Sequence, residues 1–118
     1  MNTGSNAILR PDLPVTIALR VKLDSITAQG FFHNNFYENY YSGVWLYTAF
    51  EGKLAASFGD GSPVGAENRR TKAGTTVLQH GVWYHVAVVI RGALDMDLYV
   101  NGIDDEGTYT GVGGTLTY

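Results

Sequence analysis

The 118-residue chain contains no cysteine, and this absence excludes several kinds of site. Disulfide bridges, thiolate metal centres and a cysteine nucleophile are all impossible. A chain of this length usually forms one domain, and by size scaling it buries roughly two-thirds of the surface that its unfolded form exposes. We therefore predict a flexible amino terminus at residues 1–6 and a single domain over residues 7–118 that needs no covalent cross-links.

Charge is also scarce, since 16% of the residues are charged and the formal net charge is -3. A nucleic-acid-binding protein usually carries a basic stripe. Here the adjacent basic pair is Arg69-Arg70, with Lys72 nearby, in a segment that we interpret as a solvated loop. The sequence therefore predicts no nucleic-acid partner.

Long apolar runs are missing as well. No segment approaches the roughly 20 apolar residues of a membrane helix, and the start "MNTGSNAILRPDLP" lacks the pattern of a secretory leader. We expect a soluble protein without membrane insertion. Its 15 glycines and eight tyrosines, with abundant Val, Thr and Ile, favour strands and turns.

Two segments show the alternation typical of strands. In "PVTIALRVKL", starting at Pro14, every second residue is apolar, which predicts a half-buried strand. In "WYHVAVVIRGALDMDLYVNG", residues 83–102, a first strand is apolar on nearly every position, as in a strand buried on both faces. A second strand alternates strictly and ends at Asn101-Gly102, a strong type I′ turn signal.

The remaining segments continue the all-β pattern. We predict a short strand in "GFFHNN", a hairpin over residues 44–59 with a two-residue turn at "EG", a polar loop in "DGSPVGAENRR", a strand in "TTVLQ" and one or two strands after residue 107. This makes nine or ten strands with no sustained helical periodicity. The fold predicted is an antiparallel two-sheet β-sandwich.

The later motif resembles the laminin-G-like, or concanavalin-A-like, lectin/glucanase jelly-roll domains. The residues that carry the resemblance are Trp83, His85, Val86, Ala87, Leu98, Tyr99, Val100, Asn101 and Gly102. The resemblance implies a jelly roll in which Trp83 and His85 are core residues, and it favours an extracellular, cell-surface or virion location. Such domains usually end in a further strand that this chain lacks. Either this is a compact variant, or "NAILRP" or another subunit takes that strand's place.

Because the superfamily includes glycosidases, we searched for their paired carboxylates. Retaining enzymes hold two carboxylates about 5 Å apart, and the corresponding pattern would resemble Glu-x-Asp-x-x-Glu. The chain has no such run. Asp95 and Asp97 alternate correctly, but we place them on a solvent face. His33, His80 and His85 show no metal-ligand or serine-hydrolase spacing. We predict that the protein is not an enzyme.

Calcium is the one cofactor that the sequence leaves open. Asp60 in "FGDGS" and Asp104 and Asp105, followed by Glu106, in "GIDDEG" are loop acids of the type that calcium prefers. Some laminin-G-like domains hold calcium at a sheet rim. Acids after Asn-Gly are also ordinary turn residues, so both interpretations stand.

The densest local feature is the aromatic segment "FFHNNFYENYYSGVW". Sugars bind by stacking apolar ring faces on aromatic side chains and sharing hydroxyls with polar ones. We predict that a glycan would contact His33, Asn34, Asn35, Tyr37, Glu38, Tyr40 and Tyr41, with Asn39 and Trp45 adjacent. The alternative is that these aromatic residues pack the end of the sandwich and Trp45 belongs to the core.

Two functions therefore remain. The first is a non-catalytic, lectin-like carbohydrate-binding module with a glycan or polysaccharide ligand. The second is a structural or adhesion module that makes protein-protein contacts in a larger surface or virion assembly. An uncovered sheet edge favours the second, because forming a homo-oligomer is one way to cover it.

Overall fold

A computed structural model describes residues 6–25 and 28–118; residues 1–5 of the predicted flexible terminus lie outside these ranges. Within them the chain forms nine strands, three short 3-10 turns and no α-helix, and thus no helix that could cross a membrane. The strands are β1 (Val15–Lys22), β2 (Gly30–His33), β3 (Tyr40–Thr48), β4 (Lys53–Pro63), β5 (Arg69–Val77), β6 (Trp83–Gly92), β7 (Asp95–Val100), β8 (Ile103–Asp104) and β9 (Thr108–Thr110).

The strands form two antiparallel sheets, and the predicted β-sandwich is confirmed. One sheet has four strands in the order β1-β6-β7-β8, and the other has five in the order β2-β3-β4-β5-β9. Alternate residues of both sheets face a shared core. Its fully buried side chains include Leu46 and Phe58 from the five-stranded sheet and Val88, Ile90 and Leu98 from the four-stranded sheet.

The predicted hairpins are present, and both of their turns contain a glycine at positive φ. Asn101 and Gly102 have φ of 50° and 78°, as a type I′ turn requires. The turn between β3 and β4 places Glu51 and Gly52 at φ of 70° and 77°. The register pairs Val44 with Phe58, so the predicted hairpin is present, but its turn is the three-residue 3-10 turn Phe50–Gly52 and not the predicted two-residue turn at "EG".

The strand buried on both faces is β4, and our assignment of this role to residues 83–90 is wrong. In β4 the side chains of Ala55 and Ser57, on the face away from the core, are completely buried. In β6 the outer positions Ala87 and Val89 are only half-buried. Small side chains allow large neighbours from β3 and β5 to cover β4, whereas the outer face of β6 lacks such a cover.

Trp83 and His85 are exposed, so their predicted core positions are also wrong. The side chain of Trp83 is 58% exposed. Its ring lies under the cations of Arg20 and Lys22, which are 5.5 and 5.8 Å from the ring centroid. Both residues lie on the solvent face at the beginning of β6, where the period-two pattern directs them away from the core.

Three strand boundaries also differ from the prediction. β4 extends to Pro63 into the predicted loop, β5 starts at Arg69 rather than Thr75, and β3 starts at Tyr40 within the aromatic segment. The basic pair is therefore part of a strand. The side chain of Lys72 points inward and donates from Nζ to the carbonyl of Met96 in the opposite sheet, at 2.6 Å.

The carboxyl-terminal segment closes the end of the five-stranded sheet. The carbonyl of Thr117 accepts from the amide of Gly43 at 2.8 Å, and the Thr117 amide donates to the carbonyl of Gly59 at 2.9 Å. The segment "NAILRP" forms a 3-10 turn over Ala7–Leu9, so it does not supply a closing strand, which was one of the alternatives. This turn binds Asn34, which pairs with Val44 of β3, and the carboxyl-terminal segment binds the neighbouring Gly43.

Candidate functional site

The aromatic segment divides into two surfaces, because successive residues of a strand point to opposite faces. Tyr37 and Tyr40 lie at the end of the sandwich and line a cavity there. Tyr41 and Trp45 lie on the outer face of the five-stranded sheet. The predicted glycan-binding set is therefore not one continuous site.

The first surface, which we call the end cavity, has a volume of about 470 Å³. It is lined by Asn35, Tyr37, Tyr40, Ser42, Asp60, Gly61, Thr117 and Tyr118. Tyr37 is 62% exposed and Tyr40 is 46% exposed. The amide of Tyr40 donates to the carbonyl of Tyr37 at 3.3 Å, with Asn39 at φ 65°, and this tight turn brings both residues to the cavity.

Asp60 gives the end cavity a negative charge. One of its carboxylate oxygens, Oδ1, accepts the amide of Ser62 at 2.9 Å, which orients the side chain. The other oxygen has no hydrogen-bond donor within the described part of the chain. The cavity therefore combines aromatic walls with one free carboxylate acceptor and the hydroxyl groups of Tyr37 and Tyr40.

Asn34 and Asn35 are buried structural residues. The Oδ1 atom of Asn34 accepts the amide of Val44 at 2.8 Å, and its Nδ2 donates to the carbonyl of Leu9 at 3.0 Å. Asn34 is therefore wrong as a predicted ligand contact. Asn35 forms part of the cavity floor, but its amide is engaged, since Nδ2 donates to Ser42 at 2.5 Å and Oδ1 accepts from Arg10 at 3.2 Å.

The second surface is a row of rings that crosses the five-stranded sheet. Tyr41 stacks on Trp45 with centroids 5.4 Å apart and planes 17° from parallel. The ring centroids of Trp45 and His33 are 5.3 Å apart. The ring of His33 lies edge-on to that of Phe36, with centroids 5.4 Å apart. With Tyr47 and Arg69 these residues form what we call the outer aromatic face. Trp45 thus belongs to a surface and not to the core.

Gly59 makes this arrangement possible. A Cβ at position 59 would collide with the backbone and Cβ of Tyr41, so only glycine allows the tyrosine to lie across β4. The Tyr41 ring then reaches Arg69 on β5, whose guanidinium carbon is 5.7 Å from the ring centroid. Small residues in the central strand therefore bring aromatic and cationic groups from its two neighbours together.

Burial lowers the pKa of His33 below its ordinary value of 6.5, because the half-buried ring loses hydration of its charged form. The bond between its Nε2 and the carbonyl of Ser42, at 3.0 Å, opposes this effect. Because a carbonyl only accepts, Nε2 carries the proton in this bond. This bond orients the ring between Trp45, to which it is tilted by 42°, and Phe36, to which it is edge-on.

The acids considered for calcium do not lie together. Asp60 is next to Gly59, which pairs with the first residue of β5, whereas Asp105 binds Thr75 and Thr76 near the other end of that strand. Asp104 is exposed and accepts the amide of Glu106 at 2.7 Å. Within residues 6–25 and 28–118, no three acidic or histidine side chains converge on one point.

Asp105 has a structural role. Its buried carboxylate accepts the backbone amides of Thr75 and Thr76, each at 3.1 Å, and the hydroxyl of Thr76. Gly74 lies so close that any Cβ there would occupy the position of the carboxylate. All nearby donors are therefore used to join the end of β5 to the turn after β8.

The other acidic residues named from the sequence do not line the end cavity. Asp95 and Asp97 lie toward solvent, as predicted, and both form ion pairs with Arg91 at 2.9 and 2.5 Å. Glu38 is exposed and does not line the end cavity. Asp60 is the one carboxylate among the described residues that line this cavity.

The sequence interpretation missed Tyr118 and Thr117 in the end cavity and Tyr47 and Arg69 on the outer face. Tyr41, Trp45 and Tyr47 share one parity along β3, so the period-two pattern could have placed them together. No local signal could have found Tyr118, whose hydroxyl binds Asn34 from 84 positions away.

The comparisons with known proteins agree with this architecture. No curated protein and no solved structure matches the chain. A protein-family model does match it, over residues 2–118. The chain therefore belongs to the Laminin_G_3 family of the concanavalin A-like lectin/glucanases superfamily.

Proposed function

We propose that this protein is a non-catalytic, lectin-like carbohydrate-binding module and that the end cavity holds the sugar. The observation that carries the proposal is the pairing of two exposed tyrosine rings, Tyr37 and Tyr40, with the carboxylate of Asp60 in one cavity. Its volume of about 470 Å³ lies within the roughly 300–1,000 Å³ typical of small-molecule sites.

The chemistry of the cavity matches a saccharide. Aromatic rings cover the apolar face of a pyranose, and a carboxylate accepts hydrogen bonds from its hydroxyl groups. Asp60 is already oriented by the amide of Ser62, so binding does not have to immobilise it. The backbone between Tyr37 and Tyr40 is closed by a hydrogen bond, so binding does not have to order the segment that carries the two rings.

The number of carboxylates in the end cavity supports a non-catalytic role. Glycoside hydrolysis commonly uses two carboxylates on either side of the scissile bond. The described lining of the end cavity offers Asp60 alone. Asp95 and Asp97 are paired with Arg91 on the outer face of the four-stranded sheet, the other sheet of the sandwich.

A glycan array tests the proposal, run with the wild-type protein and with Tyr37→Ala/Tyr40→Ala. We expect the wild type to bind at least one glycan and the double variant to lose that binding. Trp83→Ala is the matched control, because Trp83 is a similarly exposed aromatic residue that lies on β6 in the other sheet. An array without any bound glycan, or equal loss in the control, would contradict the proposal.

Asp60→Asn examines the polar half of the site, because it removes the charge and keeps the size. We expect the affinity for the identified glycan to fall about tenfold, as for the loss of one charge-assisted hydrogen bond. Asp24→Asn, at an exposed position, should leave the affinity unchanged. Repeating both titrations with calcium and with a chelator shows whether any binding depends on that ion.

A second candidate function is the structural or adhesion module, and the edge strand β1 favours it. β1 has a partner on one side only, β6, and it borders an apolar hollow of about 370 Å³ that includes Ile8 and Leu9. Ile8 is 84% exposed. In this role a second copy of the chain pairs with β1 and covers Ile8. Light scattering tests this function, because the wild type should form a dimer that Ile8→Glu does not form.

A further inference from the structure

The outer aromatic face contains a cation with an open binding edge. Arg69 donates from Nη1 to Thr71 at 2.6 Å and to Thr110 at 3.4 Å. Its Nε and Nη2 atoms have no acceptor within the described part of the chain. These two N–H groups form one planar fork, the geometry that binds a carboxylate through two parallel hydrogen bonds.

Arg69 also lacks a neutralising acid. The ion pairs among the described residues join Lys53 to Glu51 and Arg91 to Asp95 and Asp97, and none includes Arg69. Lys53 and Glu51 line the same hollow of about 380 Å³ beside Arg69, but they are paired at 3.1 Å and cancel each other. The hollow therefore has a net positive charge in a protein whose net charge is -3.

The guanidinium is held in position before any ligand arrives. Two threonine hydroxyls fix its Nη1 end, and the ring of Tyr41 lies 5.7 Å from its central carbon. A guanidinium that is already fixed in this way loses less conformational entropy when it binds a ligand. Tyr41, Trp45 and Tyr47 extend from it as an aromatic surface with polar hydroxyls at its edge.

We propose that the outer aromatic face is a second binding site, for a saccharide that contains uronic acid. The fork of Arg69 binds the uronate carboxylate, and the rings of β3 contact the neighbouring sugar units. This site shares no lining residue with the end cavity. It therefore goes beyond the proposed function, and either site can fail without the other.

Trp45 provides a direct reporter of binding. The chain has two tryptophans, and Trp83→Phe leaves Trp45 as the only one. Trp83 lies on β6 in the other sheet, so its replacement leaves the outer aromatic face intact. In this background we expect the fluorescence of Trp45 to change on titration with a linear galacturonate tetramer at low ionic strength. The same tetramer with every carboxylate methyl-esterified should produce little or no change.

Substitution of Arg69 tests the fork. In the Trp83→Phe background, Arg69→Ala should weaken binding of the galacturonate tetramer about tenfold to a hundredfold, as for the loss of a charged bidentate contact. Arg69→Lys retains the charge without the fork and should recover only part of the affinity. Circular dichroism and thermal unfolding show whether Arg69→Ala is folded. If it is misfolded, the affinity of Arg69→Lys for the tetramer tests the role of the fork instead.

Arg20→Ala is the matched control, since Arg20 is also placed over an aromatic ring but in the other sheet. It should leave the affinity for the tetramer within about twofold. Tyr37→Ala/Tyr40→Ala should also leave the Trp45 titration unchanged, which separates this site from the end cavity. An unchanged Trp45 signal, equal binding of the methyl ester, or equal weakening by Arg20→Ala would overturn the proposal.

Discussion

At the scale of single residues, burial determines which side chains of the aromatic segment are available to a ligand. Tyr37 and Tyr40 expose about half of their surface, whereas Asn34 is 2% exposed and has its side-chain atoms bonded within the protein. A side-chain amide at the surface can bind a sugar. The buried amide of Asn34 instead forms hydrogen bonds with backbone groups of the protein itself. Residue type alone therefore does not separate a ligand contact from a structural support.

His33 makes the stability of the fold depend on pH. Because burial lowers its pKa in the folded state, the unfolded chain takes up a proton at about 6.5 while folded His33 stays neutral. The free energy of unfolding should therefore fall as the pH is lowered through 6.5 and stop falling below the folded pKa. Urea unfolding measured between neutral and mildly acidic pH checks this expectation.

His33→Phe is the control, because it retains an aromatic ring beside Trp45 and removes the titrating group. Its stability should change less between neutral and mildly acidic pH than that of the wild type. An equal slope in both proteins would assign the pH dependence to other groups.

At the scale of strands, the size of outer-face side chains distinguishes β4 from β6. β6 is apolar at seven of its ten positions and β4 at four of its eleven, so apolar content alone favours β6 as the strand buried on both faces. β4 has Ala55, Ser57 and Gly59 on its outer face, and the larger side chains of its neighbours cover them completely. β6 begins with Trp83 and His85 on its outer face, and these side chains remain exposed.

Asp105 joins the end of β5 to the turn after β8, and its replacement should lower the free energy of unfolding. Asp105→Ala leaves the amides of Thr75 and Thr76 and the hydroxyl of Thr76 without their acceptor. We expect the free energy of unfolding to fall by about 2–3 kcal/mol, less than the full cost of three buried donors because both threonines are exposed and water can reach them.

Asp104→Ala is the matched control for this prediction. Asp104 is exposed and accepts only the amide of Glu106, so its loss should cost less than about 1 kcal/mol. Urea unfolding of the two variants compares these values. Equal destabilisation would show that Asp105 does not act as the junction.

At the scale of the whole molecule, the two termini hold the end of the sandwich together. The hydroxyl of Tyr118 donates to the carbonyl of Pro11 at 2.8 Å and accepts from Nδ2 of Asn34 at 3.1 Å. Burial raises the pKa of this hydroxyl above its ordinary value of 10.0, so it remains a donor at neutral pH. The end cavity depends on this junction, since Tyr118 forms part of its wall.

Tyr118→Phe should therefore lower the free energy of unfolding by about 1 kcal/mol, the usual net value of an intramolecular hydrogen bond. Hydrogen exchange should also become faster at the amides of Leu9 and Arg10, which belong to the amino-terminal 3-10 turn. Tyr99→Phe is the control, because the Tyr99 hydroxyl has no hydrogen bond within the described residues. A similar change in both variants would contradict the proposed junction.

The sequence by itself determined the local structure of this protein. Alternation predicted β1 and β7, Asn101-Gly102 predicted its turn, and the repeated short strands predicted an antiparallel sandwich, because each of these features depends on neighbours along the chain. The motif in residues 83–102 also led to the right superfamily. Within the candidate site, the sequence predicted Tyr37 and Tyr40 as glycan contacts, whereas it singled out Asp60 only as a loop acid of the calcium-binding type.

Only the tertiary structure decided which of these residues share a surface. It separated Tyr40 from Tyr41, brought Tyr118 to Asn34 and Arg69 to Tyr41, and gave β4 rather than β6 a cover on both faces. Each outcome depends on which side chains from distant segments fill the space beside a strand. Because that space is defined only when the sheets pack, no pattern within one segment of the sequence could specify it.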